Sequence, residues 1–175
     1  MKGNFLFIIR IFIRPNRQIM WKTFYGSSIL EPINEAVEIK LKELLATGYP
    51  IKVCIGTDSM VYGNDVQFAT AIVFVIIGNG GCMFINKHKE KRKIALKERM
   101  LMEIGFSVET AFALEPVLKK LNVPMEVHAD INKDPRYPSN ASLKEAMGYI
   151  QSMGYSFVAK PDAFASSVCA DRFTN

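Results

Sequence analysis

The sequence of 175 residues is poor in cysteine and histidine. Its three cysteines, Cys54, Cys82 and Cys169, are odd in number and widely spaced, and none belongs to a Cys-x-x-Cys pair. This spacing argues against a disulfide framework and against a zinc knuckle, and it favours a reducing compartment, for which we expect the cytoplasm. The two histidines, His88 and His128, are too few for a three-histidine zinc site.

Motifs of several common protein classes are also missing. No glycine-rich phosphate loop follows a predicted strand, and there is no Gly-x-Ser-x-Gly elbow. The apolar start of the chain, residues 1–18, is shorter than the roughly 20 residues of a spanning helix and carries three arginines, so no membrane span is expected. It lacks the small-residue cleavage site of a signal peptide. We expect an N-terminal extension over 1–19 and one domain over 20–175.

The overall composition, with 49% hydrophobic and 22% charged residues, predicts a soluble globular domain. The 22 basic and 17 acidic side chains give a net charge of +5, which is compatible with a polyanionic partner but does not establish one. The basic run KHKEKRK over 87–93 is either a solvated loop or a nucleic-acid-binding patch. Trp21, Phe24 and Tyr25 are either a stacking surface or packing residues.

The order of predicted elements indicates an α/β fold. In chain order these elements are a helix over 31–45, strands over 51–59, 66–77 and 82–86, a helix over 94–121, a strand over 123–130, a helix over 142–153, a strand over 155–160 and a helix over 163–173. Gly78–Gly81 predicts a hairpin, and Ser142 with Glu145 forms a capping box. We expect a five-stranded mixed sheet, with its first three strands antiparallel, flanked by helices.

Four acidic residues occupy positions where α/β folds place functional groups. Asp58 follows the first strand, Asp130 ends the fourth strand, Asp162 opens the last helix, and Glu103 borders the apolar stripe of the long helix. Ligand sites gather beyond the carboxyl ends of strands, so Asp58 and Asp130 would share a crevice if their strands are neighbours. Crowded carboxylates repel one another unless a cation lies among them, and oxygen-only clusters suit Mg²⁺ or Mn²⁺.

Each of these acids also has a structural interpretation that the sequence leaves open. The structural roles are a turn residue for Asp58, a polar-loop residue for Asp130, a helix N-cap for Asp162 and an ion pair with Arg99 for Glu103. Asp171 is interpreted as a solvated residue of the last helix, and His128 as a packed or hydrogen-bonded core histidine.

Three segments resemble the ribonuclease H-like YkuK family: GTDS over 56–59, HADINKDPRYPSN over 128–140 and KPDAFASSVCADR over 160–172. The resemblance extends from about Met20 to the C-terminus. It implies a ribonuclease H-like fold whose carboxylates bind two divalent cations and hydrolyse phosphodiester bonds with metal-activated water. Carried over by residue, it implies that Asp58 bridges both metals, that Glu103 contacts one, and that Asp130 and Asp162 complete the site.

This resemblance implies a metal-dependent nuclease that acts on RNA, an RNA–DNA hybrid or structured DNA. No histidine lies in the loop before the last helix, so a product-release histidine of the ribonuclease H type is missing. The alternative is a non-catalytic nucleic-acid-binding or partner-binding module with the same fold. A phosphotransferase of the actin and sugar-kinase type is disfavoured, since 175 residues are too few for its two-lobed ATP cleft.

Overall fold

The computed structural model describes residues 20–132, 134, 136, 140 and 143–174, without the side chains of residues 143 and 145. The predicted N-terminal extension over 1–19 therefore lies outside the described residues, as do Ser142 and the side chain of Glu145 from the predicted capping box. Within the described ranges, no helix is both long and apolar enough to cross a membrane.

Six strands form one mixed sheet with helices on both faces. In chain order the elements are β1 Trp21–Thr23, α1 Ile33–Leu45, β2 Ile51–Tyr62, β3 Asp65–Ile76, β4 Gly81–Glu90, α2 Leu96–Lys120, β5 Met125–Asn132, α3 Leu143–Ser152, β6 Ser156–Lys160, a π-helix Ala165–Ala170 and a 3₁₀ turn Asp171–Phe173. The strand order is β1-β4-β3-β2-β5-β6. From β1 through β4 and β3 to β2, each strand is antiparallel to the next, whereas β5 and β6 run parallel to β2. The predicted α/β class and mixed sheet are thus confirmed.

The sheet has one strand more than the five expected. The additional strand, β1, pairs with β4 through Trp21 opposite Asn86, and its Trp21 ring is buried in the main core. Strand β4 is also longer than predicted, because pairing with β3 continues to Glu90, opposite Val66. The first part of the basic run is therefore strand, with Lys87 and Lys89 exposed.

The two faces of β2 pack against different parts of the chain, as the alternation of side chains along a strand requires. Val53 and Ile55 are fully buried in the main core, which also contains Leu114 and Leu118 of α2. On the other face, Cys54 is buried in a smaller cluster with residues of the π-helix. Asp58 follows on that second face, within the strand and one residue after its pairing with β5 ends.

Candidate metal centre

The carboxyl-terminal part of β5 lies beside the middle of β2. The two strands are parallel neighbours, and their register places Thr57 opposite Ala129. The next residue on each strand is an aspartate, Asp58 and Asp130. The condition that the sequence argument required for a shared crevice is therefore met by the strand order.

Asp58 is a buried carboxyl that is only 9% exposed. Its Oδ2 accepts a hydrogen bond of 3.3 Å from the Thr174 hydroxyl. Burial raises the pKa of Asp58 to about 6, although a hydrogen bond from the backbone N–H of Ser59 lowers it in part. The negative charges of Asp130 and Asp171 raise this pKa further. A nearby cation would therefore stabilise the ionised form of Asp58 at neutral pH.

Glu103 lies on the face of α2 that packs against β2. The Ser59 hydroxyl donates a hydrogen bond of 2.5 Å to Glu103 Oε1. Burial raises the pKa of Glu103 to about 8, and the charges of Asp58 and Asp130 add to this rise, whereas Ser59 and Arg99 oppose it. Glu103 thus accepts its hydrogen bond from Ser59 of β2, whereas helical spacing predicted an ion pair with Arg99, whose charge also lowers this pKa. Without a cation, Glu103 is largely protonated at neutral pH.

Polar contacts explain why this helix face presents a carboxyl to the sheet. One turn beyond Glu103, the Ser107 hydroxyl donates to Thr57 Oγ1 at 2.9 Å. The Thr57 hydroxyl also lies 3.0 Å from that of Thr70 on β3. Each buried hydroxyl thereby has a partner, as buried polar groups require. These hydrogen bonds fix the rotation of α2 about its axis. Glu103 therefore faces β2, where it contacts Ser59.

Asp130 is half-buried beside a lysine of the neighbouring strand. Lys160 Nζ on β6 lies 2.6 Å from Asp130 Oδ1. This oxygen is buried, and among the described residues it accepts no hydrogen bond of good geometry. Asp130 therefore keeps capacity to accept a further ligand.

Asp162 is in a different environment from the other three predicted acids. It lies in an exposed turn after β6, where its backbone N–H donates to the Ala159 carbonyl and its own carbonyl accepts from the N–H of Phe164. The N-cap position of the π-helix is Phe164, so Asp162 is not its N-cap residue.

Asp171 is the acid that the sequence argument placed in solvent and the structure places near Asp58. It is half-buried, it begins the 3₁₀ turn, and its charge raises the pKa of Asp58. Thr174, three residues later, is fully buried and contacts Asp58 directly. One feature of the sequence could have indicated this position of Asp171. The segment KPDAFASSVCADR contains two acids, and the second of them, Asp171, follows the stretch of small residues that packs on the sheet.

The chemistry of these carboxylates fits Mg²⁺ or Mn²⁺, which prefer oxygen ligands. The raised pKa values of Asp58 and Glu103 indicate negative charge that a cation would offset. Asp130 already has the Lys160 ammonium group beside it, with which an ion would compete. In the part of the chain that the structure describes, one group of three side chains has potential metal-ligand atoms within 4.8 Å of one another. This group is Cys54, Glu126 and His128, and it includes none of the four predicted acids. The carboxylates are therefore spread more widely than a single three-ligand shell.

The group of Cys54, Glu126 and His128 is better described as a hydrogen-bonded network than as a metal site. The backbone N–H of Ala165 donates to His128 Nδ1 at 3.2 Å, so the neutral ring carries its proton on Nε2. That Nε2 lies 3.1 Å from Glu126, whose carboxylate also pairs with Lys52 at 2.9 Å. Burial raises the pKa of the Cys54 thiol to about 12, which disfavours the thiolate that a metal requires. The network ties β5 to the π-helix.

The comparisons with known proteins agree with this architecture. The chain matches the ribonuclease H-like family over residues 33–175. Together with the mixed sheet, this match defines a ribonuclease H-like protein. The chain is also 32% identical over 134 residues to "Uncharacterized protein YkuK" of Bacillus subtilis (strain 168), an alignment that covers 69% of this chain and 77% of that protein.

The chain belongs to the ribonuclease H-like YkuK family, and the predicted family is confirmed. No solved structure matches it. The family suggests a nuclease-type or nucleic-acid-binding function, and the fold is one that commonly uses divalent metals.

Proposed function

We propose that the protein is a metal-dependent nuclease that hydrolyses phosphodiester bonds in RNA, an RNA–DNA hybrid or structured DNA. The observation that carries this proposal is the mutual electrostatic effect of Asp58, Glu103 and Asp130. Each of the two buried carboxyls has its pKa raised by burial and by the charge of Asp130. This mutual effect supports the proposal, because neighbouring carboxylates that are buried cost stability unless a cation offsets their charge.

Asp58, Glu103 and Asp130 are the residues that would hold Mg²⁺ or Mn²⁺. The ions would supply a water activated for attack and would stabilise the leaving oxygen. The hydroxyls of Thr174 and Ser59 orient Asp58 and Glu103 through their hydrogen bonds. For the fourth acid, the charge effect on Asp58 favours Asp171. Asp162 remains the residue implied by the resemblance.

The test is cleavage of a panel of labelled RNA, RNA–DNA hybrid and branched DNA in Mg²⁺ and in Mn²⁺. We expect Asp58→Asn to lower the rate at least about 100-fold, because it removes a charge that both ions would share. Glu35→Gln is the matched control, since Glu35 is an exposed acid on α1 that is not among the proposed ligands. Full activity of purified, folded Asp58→Asn would contradict the proposal.

A non-catalytic nucleic-acid-binding module is the second candidate. It is favoured by the spacing of the carboxylates, whose oxygens do not converge within 4.8 Å as a trio in the described part of the chain. This function predicts salt-sensitive binding of nucleic acid, no metal-stimulated turnover and no heat of Mg²⁺ binding. Isothermal titration calorimetry with MgCl₂ separates the two candidates. The nuclease function predicts a heat of Mg²⁺ binding in the unsubstituted chain and its loss in Asp58→Asn.

A further inference from the structure

A cavity of about 470 Å³ opens beside the C-terminal turn, on the face of the sheet that carries Asp58. Its apolar lining comes from Met20, from the buried Ile85 of β4 and from Phe173. Its charged lining comes from the exposed Lys22 and Lys87. No carboxylate is among the described residues that line it. We call this cavity the basic groove.

Aromatic rings and cations continue from the basic groove. Phe24 lies edge to face with Phe173 at 6.0 Å and with Tyr25 at 5.2 Å between ring centroids. Lys87 Nζ lies 5.7 Å from the Phe173 centroid, and the Arg172 guanidinium lies 5.0 Å from that of Phe24. The Tyr25 side chain is 91% exposed, so its ring is free to contact a partner.

One short turn joins the basic groove to the candidate metal centre. Asp171 and Thr174 both act on Asp58, the first through its charge and the second through a hydrogen bond. The two residues between them, Arg172 and Phe173, face Phe24 and the groove. A strand that contacts Arg172 and Phe173 is therefore held next to the residues that surround Asp58.

We propose that the basic groove binds a single-stranded segment of nucleic acid beside the candidate metal centre. Lys22, Lys87 and Arg172 complement a phosphate backbone, and Tyr25 offers a face on which an unpaired base stacks. The aromatic component favours a single strand over a duplex, because paired bases keep their faces inside the helix. That this strand is also the substrate rests on the proposed nuclease function.

Binding is measured by the fluorescence anisotropy of a labelled oligothymidine of about 12 nucleotides, within the site sizes of single-strand-binding folds. The full chain carries Asp58→Asn throughout, so that cleavage does not interfere. Lys22→Gln with Lys87→Gln should reduce the slope of log affinity against log salt by about 1.4, at about 0.7 per lost phosphate contact. Tyr25→Ala should weaken binding about tenfold with an unchanged slope.

Matched controls carry the same chemical changes elsewhere. Lys119→Gln with Lys144→Gln removes two exposed lysines from helices, and Tyr49→Ala removes an exposed tyrosine after α1. Both should bind like the parent. The lysine and tyrosine side chains that are replaced are all exposed, and circular dichroism checks that each variant is folded.

The proposal is overturned if the parent does not bind the oligothymidine, or if groove and control variants bind equally. It is also overturned if the groove variants lose affinity for a DNA duplex, or for phosphatidylglycerol vesicles, as much as for the single strand. Failure of the nuclease proposal is a separate result, because it is measured as retained cleavage by Asp58→Asn in an otherwise unchanged chain.

Discussion

Gly56 on β2 lies directly against the backbone of Ser166 in the π-helix. A Cβ atom at Gly56 would lie 2.4 Å from the Ser166 nitrogen and 2.6 Å from the Ala165 carbonyl carbon. Only glycine allows a strand and a helix to approach so closely. This contact holds the C-terminal segment over β2, and it thereby brings Asp171 and Thr174 to Asp58.

We expect Gly56→Ala to lower the free energy of unfolding by about 1–3 kcal/mol, because the added methyl group must displace backbone atoms. The measurement is urea denaturation followed by circular dichroism. Gly148→Ala is the matched control, since Gly148 is exposed in α3 and has nothing within 4 Å of its Cβ position. That control should gain up to about 1 kcal/mol from helix propensity. Equal stability of the two variants would contradict the close approach.

The metal-free protein should become less stable as the pH rises from about 6.5 to about 8. Glu103 has a pKa that is raised from 4.5 to about 8 on folding, so the folded state binds more protons than the unfolded chain between these values. Its stabilising contribution is complete below the unfolded pKa and is lost as the pH rises through the folded pKa. The loss is up to about 1.4 kcal/mol per pH unit for one group.

The pH range of this experiment is chosen for Glu103. The raised pKa of Asp58 is about 6, so most of its contribution is lost by about pH 7. Burial lowers the pKa of His128 below its unfolded value of 6.5, so this histidine makes stability rise slightly with pH, and it does so near the lower end of the range. Urea denaturation at several pH values should give a falling free energy of unfolding in the parent and in Glu35→Gln. Glu103→Gln should flatten the dependence. A parent whose stability rises over this range would refute the assignment.

Mg²⁺ should reverse this loss of stability at about pH 8. A ligand that binds only the folded state at about 100 times its Kd adds about 2.7 kcal/mol. Ion binding also favours the ionised carboxylates, so the increase in Tm should be larger at pH 8 than at pH 6.5. Differential scanning fluorimetry with and without MgCl₂ measures it.

Two substitutions provide the comparison for this Mg²⁺ effect. Asp130→Asn should abolish the increase in Tm, because Asp130 is a proposed ligand. Lys160→Met removes the cation beside Asp130 and should strengthen Mg²⁺ binding, because the ion no longer competes with the ammonium group. Identical shifts in the parent and in Asp130→Asn would place the ion elsewhere.

Local patterns predicted most of the architecture and failed where tertiary contacts decide. Alternation and turn residues identified five strands and the Gly78–Gly81 hairpin, because these signals are local. The three residues of β1 are too few to show a period, and the burial of Trp21 against β4 defines that strand. The extension of β4 likewise depends on its pairing with β3.

The half-buried position of Asp171 differs from the solvated position expected for it, because the last helix is not a regular α-helix. Its residues Ala165–Ala170 form a π-helix, and a wider turn rotates the following side chains away from the positions that a period of 3.6 predicts. Asp171 is therefore half-buried near Asp58, although α-helical spacing indicated a solvated residue. The sequence argument also required β2 and β5 to be neighbours, and they are parallel neighbours whose last paired residues, Thr57 and Ala129, precede Asp58 and Asp130. Asp58 lies within the strand and not after it, because β2 continues along β3 to Tyr62.

Asp171 and Asp162 provide a direct test of which acid completes the centre. We expect Asp171→Asn to lower metal-dependent cleavage about 10- to 100-fold, because its charge acts on Asp58, and Asp162→Asn to have a smaller effect, because Asp162 lies in an exposed turn. Both substitutions replace one carboxylate by an amide of the same shape, so each is the other's control. Single-turnover rates at several Mg²⁺ concentrations are the measurement, and a lost metal ligand should also raise the Mg²⁺ concentration needed for half-maximal rate. A larger loss in Asp162→Asn would restore the assignment that the resemblance implies and would require the turn after β6 to approach Asp58 when metal and substrate bind.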